Sequence, residues 1–315
     1  MAPVRDRHQL PAVGRGGVLD LAARWADRDP RLTLDTVHRF TDPDYAKLSL
    51  AMRSGENPEA VFDVLVQRGQ IVVHSDEASR TAALADDAAA TGALVVADTR
   101  EQVADLNQAI RERLVTGGRV DDSRVLVSDS GERIGVGDRV ATRRNDYDLG
   151  VANRDTWTVT GVRDDGTMHL VGTTGTRDLP LRYAVNYVEL AYASTAYGAQ
   201  GETTATAHLA LGEHTGAASA YVAMTRGREA NTAHLVAEDL DDARQQWALT
   251  FARNRTDLGP AHAARLAAQE AAKYEPHVEP HHLDNYDVPA PVSRRRPEPI
   301  PTFSRRPGAG PGIGF

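Results

Sequence analysis

The chain reads as an α/β fold, a parallel sheet with flanking helices, interrupted by a small antiparallel β module. Three observations predict it. First, the apolar runs Ala93-Leu-Val-Val-Ala97 and Thr204-Ala-Thr-Ala-His-Leu-Ala-Leu211 have the length and composition of buried parallel strands. Second, Val103, Leu106, Ile110 and Leu114 recur at helical spacing after the first run, so one helix face packs on the sheet. Third, the character changes between Gly117 and about Tyr187. Short alternating segments (Asp138-Arg-Val-Ala-Thr142, Thr156-Trp-Thr-Val-Thr160, Thr167-Met-His-Leu-Val171) are separated by turn signals such as Asp164-Asp165-Gly166.

Length and composition narrow the functional classes. A chain of 315 residues has room for one or two domains. Apolar content of 41% and charge of 25% suit a soluble globular protein, and no apolar run reaches the roughly 18 residues a membrane span needs. The first ten residues lack an apolar signal-peptide core, so a cytoplasmic location and no membrane partner are expected. The absence of cysteine excludes disulfides, thiolate metal sites and Cys nucleophiles. A net charge of −8 argues against a generally basic DNA-coating protein but leaves room for a local basic track. The lysines are Lys47 and Lys273 alone, and neither sits in a glycine loop. The sequence therefore holds no Gly-x-x-x-x-Gly-Lys-Ser/Thr phosphate loop.

In chain order, Val18 to Trp25 is a short helix-like run, and Leu32 to Val37 a short strand followed by Arg39 and Phe40. Asp44 to Arg68 reads as helical and mostly polar. Ile71 to His74 is a strand. The Asp76-Glu77 pair after it suits a helix capped by Ser75, with acidic residues in its first turn, better than a Mg²⁺-binding pair. Asp98 and Glu101 suggest a capping-box-like start to the helix that follows Ala97; Arg111 and Arg113 are placed on its solvated side, and Asn107 is assigned no chemistry.

Asp239 to Lys273 is an alanine-rich helical stretch. Beyond Glu275 the composition shifts to Pro, Gly, His and charge, which predicts disorder, acidic first and basic at the end. His277, His281 and His282 lack a paired second cluster, so no metal site is expected.

The stretch from Val188 to Val236 holds the functional signal. It carries Thr195-Ala-Tyr-Gly-Ala-Gln200-Gly201-Glu-Thr203 and then Tyr221-Val-Ala-Met-Thr225-Arg226-Gly-Arg228, with the second strand between them. These resemble the fifth and sixth motifs of superfamily 1 DNA helicases, in particular the RecD-like module of MobF-type, TraA-like conjugative relaxases. Tyr197 stands where that family usually has His, and Gly198 where it often has Lys or Arg. Gln9-Leu10-Pro11 resembles the end of the third motif, with Arg5 at its Gly position; Leu32 to Phe40 resembles the next. Gly137 to Val140, Arg143 to Asp146 and Val151 to Asp155 resemble an SH3-like insertion, with Arg154 in place of the usual Gly.

The resemblance implies the following organisation: a remnant of the first RecA-like lobe over 1–45, a helical connector over 46–90, and a second RecA-like lobe over 91–116 and 186–250. An SH3-like β insertion spans 117–185, a helical tail 251–274, and a disordered Pro/Arg-rich tail 275–315. It implies ATP and Mg²⁺ as cofactors of the intact module. It makes Arg226 the arginine finger and Gln9 the γ-phosphate sensor, with Arg39, Gln200, Gly201, Glu202 and Arg228 on the nucleotide side. Arg228 is expected on the same helix as Arg226, and Arg226 is expected to face an open cleft.

Thr195, Tyr197, Thr203, Arg139, Arg143, Arg144 and Trp157 are candidates for single-stranded DNA. For Trp157 a packed core position competes with base stacking, and for Arg143 and Arg144 a solvated hairpin competes with phosphate contact. Without a phosphate loop the chain is expected not to hydrolyse ATP alone. It then acts as the second half of a motor, as a split subunit working in trans with a chain carrying the first lobe, or as a non-catalytic DNA-binding or docking module.

Overall fold

In a computed structural model of the chain, residues 39–253 are described. They lie within one compact unit. Expectations that fall on residues 1–38 and 254–315, including Gln9, the third-motif residues and the tail histidines, lie outside the described residues.

The organising layer is a five-stranded, all-parallel sheet in the order β1 (Ile71–His74), β12 (Gly227–Val236), β11 (Thr204–Ala210), β2 (Leu94–Ala97), β10 (Ala193–Thr195). Both predicted strands are present, and β2 is buried throughout. Helices cover both faces, as the continuous apolar strands require. On one side lie α3 (Glu77–Thr91) and α4 (Arg100–Thr116). The other carries α1 (Pro43–Ser54), α2 (Pro58–Gln67), α6 (Ala217–Ala223) and α7 (Leu240–Ala252).

Residues 46–90 are therefore more than a helical connector. They contribute β1 to the sheet edge, and Val61, Phe62 and Leu65 of α2 pack into a core with Trp247 and Phe251 of α7. Asn57 caps α2, and Pro58 at its first turn fits the missing N–H of that position. In α7, Trp247 is fully buried.

Two helix starts differ from expectation by one residue. The caps are Asp76, paired with Ser79, and Thr99, paired with Gln102; each side chain accepts the N–H three positions on. Ser75 instead donates to Asp76, and Asp98 accepts from the Thr215 hydroxyl.

The antiparallel module follows α4. A hairpin of β3 (Asp121–Val127) and β4 (Arg133–Val136) precedes a five-stranded sheet. Its order is β8 (Gly175–Leu179), β7 (Met168–Gly172), β6 (Thr156–Val162), β5 (Arg139–Thr142), β9 (Val188–Leu190). The short helix α5 (Leu181–Tyr187) connects β8 to β9. The module thus runs to Leu190, beyond the expected limit at 185, because β9 pairs with β5 before the chain re-enters the parallel sheet at Ala193.

Buried polar groups join the module to the lobe. Arg111 of α4, expected on the solvated side, is buried. Its Nε donates to Asp138 Oδ2 at 2.9 Å and its Nη2 pairs with Asp122 at 2.8 Å. Asp138 is fully buried and also accepts from the Gly135 N–H at 2.7 Å and the Tyr192 hydroxyl at 2.7 Å. Asn107 pins the crossing between the two sheets, donating to the Leu190 carbonyl at 3.2 Å and accepting the Ala193 N–H at 2.7 Å.

Asp138→Ala leaves Arg111 with a buried, half-compensated charge. It should destabilise the chain by about 3–5 kcal/mol, the usual cost of breaking a buried pair, read from the urea midpoint.

Glu132, at the turn before β4, carries a carboxyl that burial raises to about 7 from its ordinary 4.5. The folded chain holds that proton more tightly than the unfolded one, so this contribution to stability is complete below pH 4.5 and lost as pH rises through 7. Glu132→Gln should match the wild type in stability near pH 4.5 and exceed it above 7.

Candidate functional site

The two signatures of Val188–Val236 meet at the ends of β10, β11 and α6. After β10 the chain makes a tight turn. The Gly198 N–H donates to Thr195 Oγ1 at 3.2 Å, the Ala199 N–H to the Thr195 carbonyl at 2.8 Å, and the Glu202 N–H to the Ala199 carbonyl at 3.1 Å. Gly201 closes the turn at φ +98°, a conformation that glycine adopts without steric penalty. At Gly198 a β-carbon would sit 2.1 Å from Ser194 Oγ and 2.7 Å from Arg154 Nη1. A basic residue there would require the Ser194 and Arg154 side chains to move aside. Arg154, standing where a Gly was expected, adopts φ +77° and turns its guanidinium towards this loop and Glu189.

The second signature is a short helix and a turn rather than one longer helix. The α6 segment ends at Ala223, Thr225 and Arg226 lie in the turn, and Arg228 sits exposed on β12. The expectation that both arginines share a helix is therefore corrected: Gly227 starts a strand that pairs with β11. Asn231 stabilises this change of direction, accepting the Gly227 N–H at 2.7 Å and donating to the Gly227 carbonyl at 2.9 Å.

Arg226 does not face an open cleft. It is 1% exposed, with Nε on the Val222 carbonyl at 2.8 Å and Nη1 on the Ala199 and Glu202 carbonyls at 3.3 and 3.2 Å. Its Nη2 reaches Thr225 Oγ1 at 3.1 Å. Burial, and then the nearby charge of Arg39, push its pKa down to about 10. Arg39 comes from far upstream and donates to the Thr225 carbonyl at 2.6 Å, so two guanidinium groups flank one turn. Glu202 is the neighbouring carboxylate. Burial raises its pKa against the pull of Arg139, Arg154 and Arg226, and Arg139 Nη2 lies 3.4 Å from it.

The remaining expected residues divide by exposure. Gln200, Thr203 and Tyr197 (47% exposed) lie at the surface of the loop, and the Thr195 hydroxyl accepts the Gly198 N–H inside it. Arg143 pairs with Glu189, and Arg144 lies over the Tyr187 ring and donates to its hydroxyl at 2.7 Å. Trp157 is 2% exposed in the module core, with Arg177 over its ring. Base stacking by Trp157 is therefore corrected to core packing, because its faces are covered. Asn231 was missed, and Asn107 and Asp138 were noted without a role, since a buried polar residue has no local pattern that distinguishes it from a surface one.

The fold is an α/β domain built on a parallel sheet and carrying an antiparallel β module. A family model described as an AAA domain matches residues 2–76. The multifunctional conjugation protein TraI of Escherichia coli is 33% identical over 138 residues, covering 41% of this chain and 7% of TraI. An uncharacterized protein of Mycobacterium tuberculosis is 43% identical over 53 residues, 17% of this chain and 30% of that protein. Among solved structures, Bacteroides Pif1 bound to ssDNA is similar at 14% identity and a TM-score of 0.46, covering 76% of this chain and 55% of that one. Candida albicans Pif1 helicase is similar at 13% identity and a TM-score of 0.45, covering 74% and 60%. The chain thus spans less than two thirds of each of these proteins. The motifs, the family model and the TraI relative support a superfamily 1 helicase-like module over part of this chain.

Arg226→Ala removes the donor shared by the carbonyls of Val222, Ala199 and Glu202. It should lower stability by about 1–3 kcal/mol, the cost of leaving buried acceptors unpaired, and speed amide exchange in residues 199–204. Arg228→Ala, on an exposed side chain, should change neither.

Proposed function

We propose that this chain supplies the second motor lobe of an ATP-dependent superfamily 1 DNA helicase module of the conjugative-relaxase type, acting on single-stranded DNA. One observation carries the reading. A single side chain, Arg226, joins the two motif-like segments, and Arg39 approaches the same turn.

The arrangement fits a phosphate on the second-lobe side. The charge of Arg39 adds to the electrostatic cost of burying Arg226, and an anion between the two relieves it. The sequence offers no glycine-loop lysine for the β/γ-phosphates. When bound, ATP supplies the phosphoryl transfer that drives opening and closing of a two-lobe cleft, with arginines stabilising the charge that develops. For this chain, Arg226 must exchange the Ala199 and Glu202 carbonyls for phosphate oxygens. That exchange loosens the loop from Thr195 to Thr203, which carries Tyr197 and Thr203 towards DNA. Arg39 is already half-exposed and needs the smaller movement. Glu202, between Arg226 and Arg139, passes the change to the β module, which is SH3-like in this reading.

A second reading, a non-catalytic DNA-binding or docking module, is favoured by the near-complete burial of Arg226. Complementation separates the two. Mixed with a separate polypeptide carrying a first lobe with an intact phosphate loop and Asp-Glu strand, the chain should raise ATP hydrolysis well above that of the first lobe alone. A finger supplied in trans contributes on the order of 10³–10⁵ in related phosphoryl-transfer systems. Arg39→Gln should abolish the gain while leaving the circular dichroism spectrum unchanged. No gain at saturating chain would leave the non-catalytic reading.

Both readings expect weak single-strand binding, without sequence preference, that falls steeply as salt rises. Fluorescence anisotropy at two salt concentrations measures it, and salt-insensitive or sequence-selective binding would count against both.

A further inference from the structure

Three adjacent parallel strands each place a histidine in one row beneath α3: His74 at the end of β1, His234 on β12 and His208 on β11. The rings touch in sequence. His74 Nε2 lies 3.0 Å from His234 Nδ1, and His234 Nε2 lies 3.1 Å from His208 Nδ1. Asp87 of α3 stands at the far end, its Oδ2 3.7 Å from His208 Nε2. His208 and His234 are buried, while Asp87 is about half exposed. One ligand atom each from Asp87, His208 and His234 lies within 4.8 Å of the others. The row plays no part in the proposed motor chemistry.

We propose that His208, His234 and Asp87 bind a borderline divalent transition ion, zinc foremost, with His74 orienting His234. One ligand atom from each of the three residues lies within 4.8 Å of the others, a span that metal bonds of about 2.0–2.2 Å close once the side chains turn towards a common point. With His74 Nε2 as acceptor of the Nδ1 proton of His234, Nε2 of His234 is left as the ligand; an outer partner of this kind is the usual companion of a ligating histidine. The half-exposed Asp87 supplies charge, a third ligand and the route in from solvent, and water completes the shell. Two nitrogens and one carboxylate, with no thiolate, favour zinc, cobalt or nickel over calcium or magnesium. Arg80, the nearby cation, is paired with Glu77. A bound ion would tie α3 to β11 and β12.

The test uses the full chain after chelator treatment, titrated with Zn²⁺ by calorimetry and with Co²⁺ by visible absorption. One ion per chain, a tetrahedral Co²⁺ band and a higher melting temperature with Zn²⁺ are expected. Asp87→Asn, at an exposed position that does not threaten the fold, should weaken Co²⁺ binding at least about tenfold, and His74→Asn by about 10–100-fold. His277, His281 and His282 could hold metal on their own, so the variant with all three changed to Asn must keep the site. Absence of saturable binding overturns the proposal. So does binding that vanishes in the triple variant and ignores Asp87→Asn; the row is then a hydrogen-bonded ladder only.

Discussion

The buried guanidinium of Arg226 sets the shape of the region around it. A charge removed from water is costly, and among the described residues no carboxylate makes direct contact to offset it. Backbone carbonyls compensate instead. Three residues, Val222, Ala199 and Glu202, must aim their C=O groups at one point, so the end of α6 and the turn after β10 have fixed positions relative to each other. Neighbouring residues support the arrangement. Thr225 folds its hydroxyl back onto α6, Asn231 closes the turn into β12, and Tyr45 donates to the Met224 carbonyl at 2.6 Å.

A second buried charge plays the corresponding part between the lobe and the β module. Asp138 gathers donors from α4, β4 and Tyr192. Because Tyr192 directly precedes β10, the chain leaves this network and enters the parallel sheet within one residue. The loop after β10 is therefore held at one end by Asp138 and Asn107 and at the other by Arg226. Glu202 lies near both, through Arg139 of β5 and through Arg226 itself. A change in how Arg226 is engaged is thus mechanically close to the module, although the two lie far apart in sequence.

Some features were legible without coordinates because their physical cause is local. Strand β2 was visible from four consecutive apolar residues, and α4 from its apolar spacing. The tight turn at Gly201 followed from glycine's freedom at positive φ. The alternating strand offered Trp157 a core position beside base stacking, and its burial decided for the core. The helix starts at Asp76 and Thr99 were misplaced by one residue, since adjacent Ser, Thr and Asp side chains compete for the same N–H groups and only the backbone path selects among them.

By itself, then, the sequence determined the α/β class, the antiparallel module, the missing phosphate loop and the two motif-like segments, all of which depend on residue type and short spacing. Only the tertiary structure decided that Arg226 is buried rather than presented, that Arg228 belongs to a strand, and that Arg111 is an internal ion pair. It alone aligned His74, His234 and His208 and brought Arg39 to Thr225, 186 residues away. The physical reason is common to these cases. Whether a charged or polar side chain meets water, another charge or a carbonyl depends on which distant segment packs over it, and local sequence does not encode that neighbour.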